Sequence, residues 1–267
     1  MKINPLTSLQ NPLIKKIRSL SERQARQKTG LFLIEGEKLL SEALLSGIKI
    51  EAVIVDKAYL DQVGLPQTLV KHKQSDLDEI YGVEPELFKK LVTTTTPAPV
   101  LALGQMPRLR LEAILKAGKL SLLIGENIQD PGNLGTMIRS ALAFGFDALI
   151  LSSGSVDIYN PKVVRGAMGA LFRLPIVVGE DIRQLLLKLK EHKIEIVSLS
   201  PEADESICQA EFSERLAYLV GNEGNGLTNE AESLSDRRVS IPTADVESLN
   251  VAVAAAVAMW ERAKARK

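Results

Sequence analysis

Apolar positions along the chain alternate between helical and strand spacing, and the switches divide it into elements. Leu6, Leu9, Leu13, Ile17 and Leu20 recur at helical spacing, which predicts an amphipathic N-terminal helix over Pro5 to Leu20 with most basic residues on its other faces. FLIEG at 32–36 reads as a strand, EKLLSEALLSG as a helix closed by Gly47, and KIEAVIVD as a strand. A helix near 58–63, a strand near 68–72 and a helix near 76–81 extend this into a small α/β unit over 31–105. The stretch TTTTPAPVLALGQMPRLR, from Thr93 to Arg110, sets three prolines and a threonine run around one short apolar strand, so a domain boundary falls near 106–111.

From Lys119 the α/β alternation resumes. LSLLIG, ALILS, LPIVV, IEIVSLS, LAYLVG and RVSIP read as strands. NLGTMIRSALAFG, PKVVRGAM, DIRQLLLKLKEH and LNVAVAAAVAMWERAKA read as helices. Several of these strands are continuous apolar runs, the pattern of a largely parallel sheet buried on both faces. Such a sheet binds ligands where its strands end and its loops gather.

A length of 267 residues suits two unequal domains. The 33 basic and 33 acidic residues cancel, yet residues 1–30 hold Lys2, Lys15, Lys16, Arg18, Arg23, Arg26 and Lys28 against Glu22 alone. That basic arm fits either RNA contact or an ordinary solvated helix face. Cys208 is the single cysteine, which excludes an internal disulfide and leaves too few thiols for a cysteine-based metal site. The first residues lack the apolar core of a secretory signal, and the bland run Val251 to Trp260 is half a membrane span. The expectation is a soluble cytoplasmic protein without a membrane partner.

Three strand-to-loop junctions carry unusual residues. The first, Glu126 to Thr136, holds turn residues Pro131 and Gly132 and then Asn133, a good cap for a helix beginning at Leu134. Arg139 follows at a position where a sheet-packed helix would place an apolar or small residue; a salt bridge or snorkelling is the ordinary explanation. The second, LVGNEGNGL, sets Gly221, Gly224 and Gly226 around Glu223, so the backbone can approach a ligand closely. It is neither a Walker loop nor a dinucleotide turn. The third ends a strand at Ile241-Pro242 and opens a small-residue helix at Ser248-Leu249-Asn250, where Ser248 or Asn250 can act as cap. In YNPKVVRGAMG, Asn160, Lys162 and Arg165 suit either RNA phosphates or helix capping and surface charge.

Taken together and in this order, the three stretches resemble the motifs of the SpoU/TrmH family of RNA 2′-O-ribose methyltransferases in the SPOUT superfamily. Asn133 to Ala141 is similar to the first motif, with Met137 a mild departure; Gly221 to Leu227 to the second; Ile241-Pro242 with Ser248 to Val251 to the third. The resemblance covers residues 119–262, and 31–105 is similar, less specifically, to the family's substrate-binding domain.

It implies an α/β architecture with a C-terminal SPOUT knot (a deep trefoil with a mostly parallel sheet) and a smaller ribosomal-protein-like α/β domain before it. Periodicity predicts no knot, since knots are rare exceptions to topology rules. The domains expected are a basic helical arm at 1–30, an RNA substrate-binding domain at 31–106 and a methyltransferase domain at 112–267.

The implied cofactor is S-adenosyl-L-methionine, held by main chain near Gly221, Ile241 and Leu249, with no metal. The implied substrate is a ribose 2′-hydroxyl of RNA, with 23S rRNA favoured by the discrete N-terminal domain; tRNA, or a silent ribosome-assembly factor of the same fold, is the alternative. Arg139 would stand beside the target hydroxyl and an RNA phosphate. A guanidinium is suited to stabilising the developing alkoxide and ill suited to removing its proton. Asn133 would hold the substrate or Arg139, Glu223 would orient Arg139 or the methionine end of the cofactor, and Ser248 and Asn250 would orient the site. The family's members pair as homodimers whose sites borrow from the neighbour.

Overall fold

The computed structural model describes residues 3–71, 77–92, 97–107 and 109–265. In chain order the first half holds β1 (Ile3–Leu6), α1 (Pro12–Ser19), α2 (Arg23–Thr29), β2 (Leu31–Glu35), α3 (Glu37–Leu45), β3 (Ile50–Asp56), α4 (Lys57–Val63), α5 (Gln67–Lys71), β4 (Leu77–Val83), α6 (Pro85–Phe88) and β5 (Val100–Gln105). The second half holds α7 (Leu111–Ile114), β6 (Leu120–Gly125), α8 (Pro131–Ala143), β7 (Ala148–Ser152), α9 (Pro161–Gly166) and β8 (Ile176–Glu180). It continues with α10 (Ile182–Glu191), β9 (Glu195–Leu199), β10 (Arg215–Val220), α11 (Asn229–Leu234), β11 (Arg237–Val239) and α12 (Val251–Ala265). Two compact units result: the described residues of 1–108 with 159–172, and the remainder from 109 onward.

The first unit is built on a five-stranded mixed sheet in the order β1-β4-β3-β5-β2. The single helix expected over Pro5 to Leu20 is instead a strand followed by a helix. Ile3 to Leu6 pair in parallel with Ile80 to Val83, and Asn11-Pro12 restarts the chain as α1. The Asn11 side chain accepts from the Leu13 N–H at 2.8 Å, and Pro12 occupies the first helical turn, where its missing N–H costs nothing. Ile14, Ile17 and Leu20 are fully buried in the unit's core with Leu33, Ile54 and Leu101.

Residues 3–30 are therefore integral to the unit. Two of their cations are used by the fold: Lys16 pairs with Glu51 at 2.8 Å, and buried Arg26 donates to the Leu20 and Ser21 carbonyls at 2.8 and 2.9 Å.

Two more expectations are reversed nearby. The strand expected near 68–72 is α5, because the Pro66 carbonyl starts a helical turn by accepting from Leu69 and Val70. The helix expected near 76–81 is β4, held in parallel between β1 and β3. Short apolar runs are ambiguous in sequence, and here the sheet partners decide. The threonine run at 93–96 lies outside the described residues.

Residues 159–172 follow β7 in sequence yet pack in the first unit. Phe32 meets Tyr159 at a 4.7 Å ring separation and Phe172 at 6.0 Å, and Arg165 lies 3.7 Å from the buried Glu35 carboxylate. Asn160 caps α9 by accepting from the Lys162 N–H at 2.9 Å.

The second unit carries a six-stranded sheet in the order β11-β9-β10-β6-β7-β8, parallel at every pairing. Every residue of β6 and β7 is buried, as their unbroken apolar runs predict. Leu122, Ile124, Ala217 and Leu219 pack with Leu185, Leu186 and Leu189 of α10 on one side. The chain runs outward from β6 through β7 to β8, then returns across the sheet to β9 and β10. This reversal makes the β6–β10 boundary a topological switch point, where loops diverge and leave a crevice at the carboxyl edge.

Candidate active site

The loops that follow β6, β9, β10 and β11 meet at that edge. Main-chain hydrogen bonds fix the turn after β6 first. The Asn127 and Ile128 N–H groups donate to the Ser152 and Ser155 hydroxyls, at 2.8 and 3.2 Å. Asn127 adopts φ 52°, a region asparagine tolerates. Asp130 caps α8, its carboxylate accepting from the Asn133 N–H at 2.8 Å. Helix α8 thus begins at Pro131, three residues before the expected start, and the Asn133 side chain is released from capping.

That freed amide joins the three motif-bearing loops. Asn133 Nδ2 donates to Glu223 Oε1 at 3.1 Å, and Asn133 Oδ1 accepts from Asn250 Nδ2 at 2.9 Å. Asn250 Oδ1 in turn accepts from the Ala252 N–H at 2.9 Å and so caps α12, as its sequence position suggests. Glu223 also accepts from the Gln129 and Asp130 N–H groups at 3.1 and 2.9 Å. Burial pushes the Glu223 carboxyl upward, but these donors outweigh it and hold the pKa below the ordinary glutamate value. The carboxylate is thus braced against the first turn of α8. Arg139 lies elsewhere on that helix.

The glycine loop between β10 and α11 folds back on itself. Asn222 and Gly226 exchange main-chain bonds at 2.9 and 3.0 Å, and the Asn222 side chain accepts from Gly224 and Asn225 while donating to the Asn127 carbonyl. A Cβ on Gly221 would come within 2.2–2.4 Å of main-chain atoms of Gly226 and Leu227, so no side chain fits there. Gly226, at φ 67°, sits where glycine is favoured.

These loops enclose a cavity of about 370 Å³, within the range of small-molecule sites. Leu199, Val220, Val239, Ile241 and Leu249 supply its apolar walls, buried Gly221 and exposed Gly224 its main chain, and Asn133, Glu223, Ser248 and Asn250 its polar rim. Apolar walls, open peptide groups and a short polar edge suit a ligand with an aromatic ring at one end and charged groups at the other. S-adenosylmethionine has that constitution, and the missing Cβ at Gly221 lets the Gly226 and Leu227 main chain close against it to form the pocket wall.

Seven of the eight candidate residues from sequence line this cavity: Asn133, Gly221, Glu223, Ile241, Ser248, Leu249 and Asn250. Arg139 does not. It occupies the solvent stripe of α8 with Gly132, Thr136 and Ala143, while Leu134, Met137, Ile138 and Ala141 face inward. The expectation that position 139 is one that sheet packing reserves for an apolar residue is therefore corrected. Among the described residues the Arg139 side chain has no ion pair, which leaves its charge available to a ligand. Sequence reasoning missed Asn222, the clasp of the glycine loop, and Leu199 to Pro201, the wall after β9. The only available signal for the latter was their place at a strand end of a parallel sheet.

Comparison with known proteins identifies the family. Residues 121–260 match the SpoU rRNA Methylase family and residues 11–102 the MRM3-like substrate binding domain. The 23S rRNA (guanosine(2553)-2′-O)-methyltransferase RlmP of Bacillus subtilis is 34% identical, over 96% of this chain and 97% of its own. The 23S rRNA (uridine(2479)-2′-O)-methyltransferase of Streptomyces viridochromogenes is 29% identical over 92% of this chain and 87% of its own. The structure of AviRb from Streptomyces viridochromogenes in complex with AdoMet superposes with a TM-score of 0.87 at 28% identity, covering 96% of this chain and 98% of that one. A matched catalytic core, a matched substrate-binding domain and near full-length relatives lead to one conclusion: this chain belongs to the SpoU rRNA methylase family.

Proposed function

We propose that the protein transfers the methyl group of S-adenosyl-L-methionine to a ribose 2′-hydroxyl of 23S ribosomal RNA. The observation that carries this reading is the hydrogen-bonded string Asn250–Asn133–Glu223, which ties the three motif loops together at the rim of a cavity lined by Gly221. The match of 11–102 to a substrate-binding domain and the full-length likeness to 23S rRNA enzymes support the RNA target.

When bound, the cofactor supplies an electrophilic methyl group on a sulfonium. What remains for the protein is alignment and charge. Gly221 offers main chain, and Ile241 and Leu249 offer apolar walls to the cofactor. Asn133, Ser248 and Asn250 orient the ligands at the rim, and Glu223 keeps the glycine loop and α8 in register. Arg139, charged and open to solvent, is suited to an RNA phosphate and to the alkoxide that develops as the 2′-proton leaves.

The same reading includes a homodimer. Val253 and Trp260 expose large apolar side chains on α12, at 47% and 50%, and Trp260 lies 5.9 Å from the Phe144 ring next to the end of α8. A second copy covering this face would meet the helix that carries Arg139. Among the described residues no helix is long and apolar enough to cross a membrane. A ribosomal RNA substrate supports the reading of a cytoplasmic protein.

The test is transfer of tritium from labelled S-adenosylmethionine to total rRNA and total tRNA from a strain lacking the gene, followed by mapping of alkali-resistant dinucleotides. Label at one 2′-O-methyl nucleotide of 23S rRNA is the expected result. Label confined to tRNA overturns the substrate, and cofactor binding without transfer to RNA or pre-ribosomal particles overturns the activity.

A further inference from the structure

The eight-residue passage from Gly221 to Thr228 begins and ends on one buried residue outside the cavity. Glu126 is 4% exposed and follows the last residue of β6. Its N–H donates to the Val220 carbonyl at 2.9 Å, immediately before the glycine loop. Its carboxylate reaches the other end, where Oε2 accepts from the Thr228 N–H at 2.9 Å and Oε1 from the Thr228 hydroxyl at 2.7 Å. Thr228 is also the cap of α11, its hydroxyl accepting from the Ala231 N–H at 3.2 Å. Asn222 and Glu223 add exposed ties across the same gap; the Glu126 tie is part-buried, its carboxylate end enclosed and its Thr228 end open to solvent, so a Glu126 left without Thr228 loses partners on its enclosed side.

A buried carboxylate is a costly way to join two segments if holding them together were its only task, since an apolar pair closes a loop without removing a charge from water. What two short directional bonds provide is position. The Gly221 main chain already lies against Gly226 and Leu227 with no room for a Cβ, so a small shift of Thr228 moves the wall on which the ligand rests.

We infer that Glu126 is a positioning residue for the cofactor pocket, acting through Thr228 to fix the height of the Gly221–Leu227 backbone without touching the ligand. The inference rests on the reading of that pocket as the S-adenosylmethionine site. It sets Glu126 apart from the rim residues, because its loss acts on cofactor affinity and leaves the transfer step and RNA binding alone.

The experiment measures S-adenosylmethionine and S-adenosylhomocysteine affinity by titration calorimetry, together with KM and kcat, for Glu126→Met, Glu126→Gln, Thr228→Val and Thr228→Ser in the full chain. Methionine keeps the length and removes both acceptors, whereas glutamine can still accept from the Thr228 N–H and donate to its reoriented hydroxyl. Glu126→Met and Thr228→Val are expected to weaken cofactor binding by about tenfold or more. Glu126→Gln and Thr228→Ser are expected to restore it, with kcat at saturating cofactor and RNA affinity near wild type throughout. The double variant should be no weaker than the worse single one, since both remove the same tie.

Wild-type cofactor affinity in Glu126→Met and Thr228→Val overturns the inference, as does equal loss of kcat and RNA affinity. If Glu126→Met does not fold, the two Thr228 variants decide alone. A wild-type protein that fails to bind either ligand overturns the reading of the pocket itself.

Discussion

Gly221 has no space for even a methyl group, since its notional Cβ would overlap the backbone of Gly226 and Leu227. Gly221→Ala should therefore displace the loop, costing about 1–3 kcal/mol of stability, and weaken cofactor binding in calorimetry more than it weakens RNA binding. Arg139 calls for a different outcome because its side chain is exposed on the surface of α8. Arg139→Ala should lower methyl transfer by about a hundredfold or more with cofactor affinity nearly unchanged, as removal of a charge that acts in the transition state does. Wild-type turnover in that variant would sink its assignment.

Glu223 makes the pH dependence legible. Its folded pKa lies below the ordinary value, so its ionised form favours the folded loop. That contribution is complete above the unfolded carboxyl value of about 4.3 and is lost as pH falls through the lower folded value. The stability difference between wild type and Glu223→Gln, followed by urea unfolding, should be constant from pH 7 to about 5 and shrink below it. A difference that persists unchanged at about pH 3 would mean the carboxylate's charge is irrelevant.

At the scale of elements, α1 and α2 show how one segment serves two purposes. Ile14, Ile17, Leu20 and Arg26 are committed to the core, whereas Lys15, Arg18, Arg23 and Lys28 face solvent. Deleting residues 1–30 would remove a strand and a core face, so it cannot isolate an electrostatic role. Replacing the four exposed cations with glutamate should leave the fold intact, weaken rRNA binding and flatten its salt dependence, by a slope of about 0.7–0.9 for each RNA phosphate no longer neutralised. Binding with unchanged affinity and slope would reduce this face to solubility. Helix α8 is the other telling element. Asp130 takes over the capping, and that frees Asn133 to link Glu223 and Asn250. A cap displaced by three residues changes a structural asparagine into a member of the site.

For the whole molecule, the exposed apolar residues of α12 set the expectation for assembly. Trp260→Lys places a charge on that face and should convert the proposed dimer to a monomer in analytical ultracentrifugation, with methyl transfer falling alongside it. A variant that stays dimeric shows that Trp260 lies outside the interface, and a monomer with full activity removes the idea that each site borrows from its neighbour.

The sequence by itself determined the second unit's strands and the three motif loops, because continuous apolar runs and glycine-rich junctions are local signals of a buried parallel sheet and its edge. It also supplied seven cavity-lining residues. Only the tertiary structure decided that β4 is a strand and α5 a helix, since their short segments satisfy either pattern until a neighbouring strand supplies hydrogen-bond partners. The packing of 159–172 with Phe32, the tie from buried Glu126 to Thr228 and the solvent-facing Arg139 were likewise invisible. Each depends on which distant residue arrives opposite, and that is set by strand order and helix rotation, not by spacing along the chain.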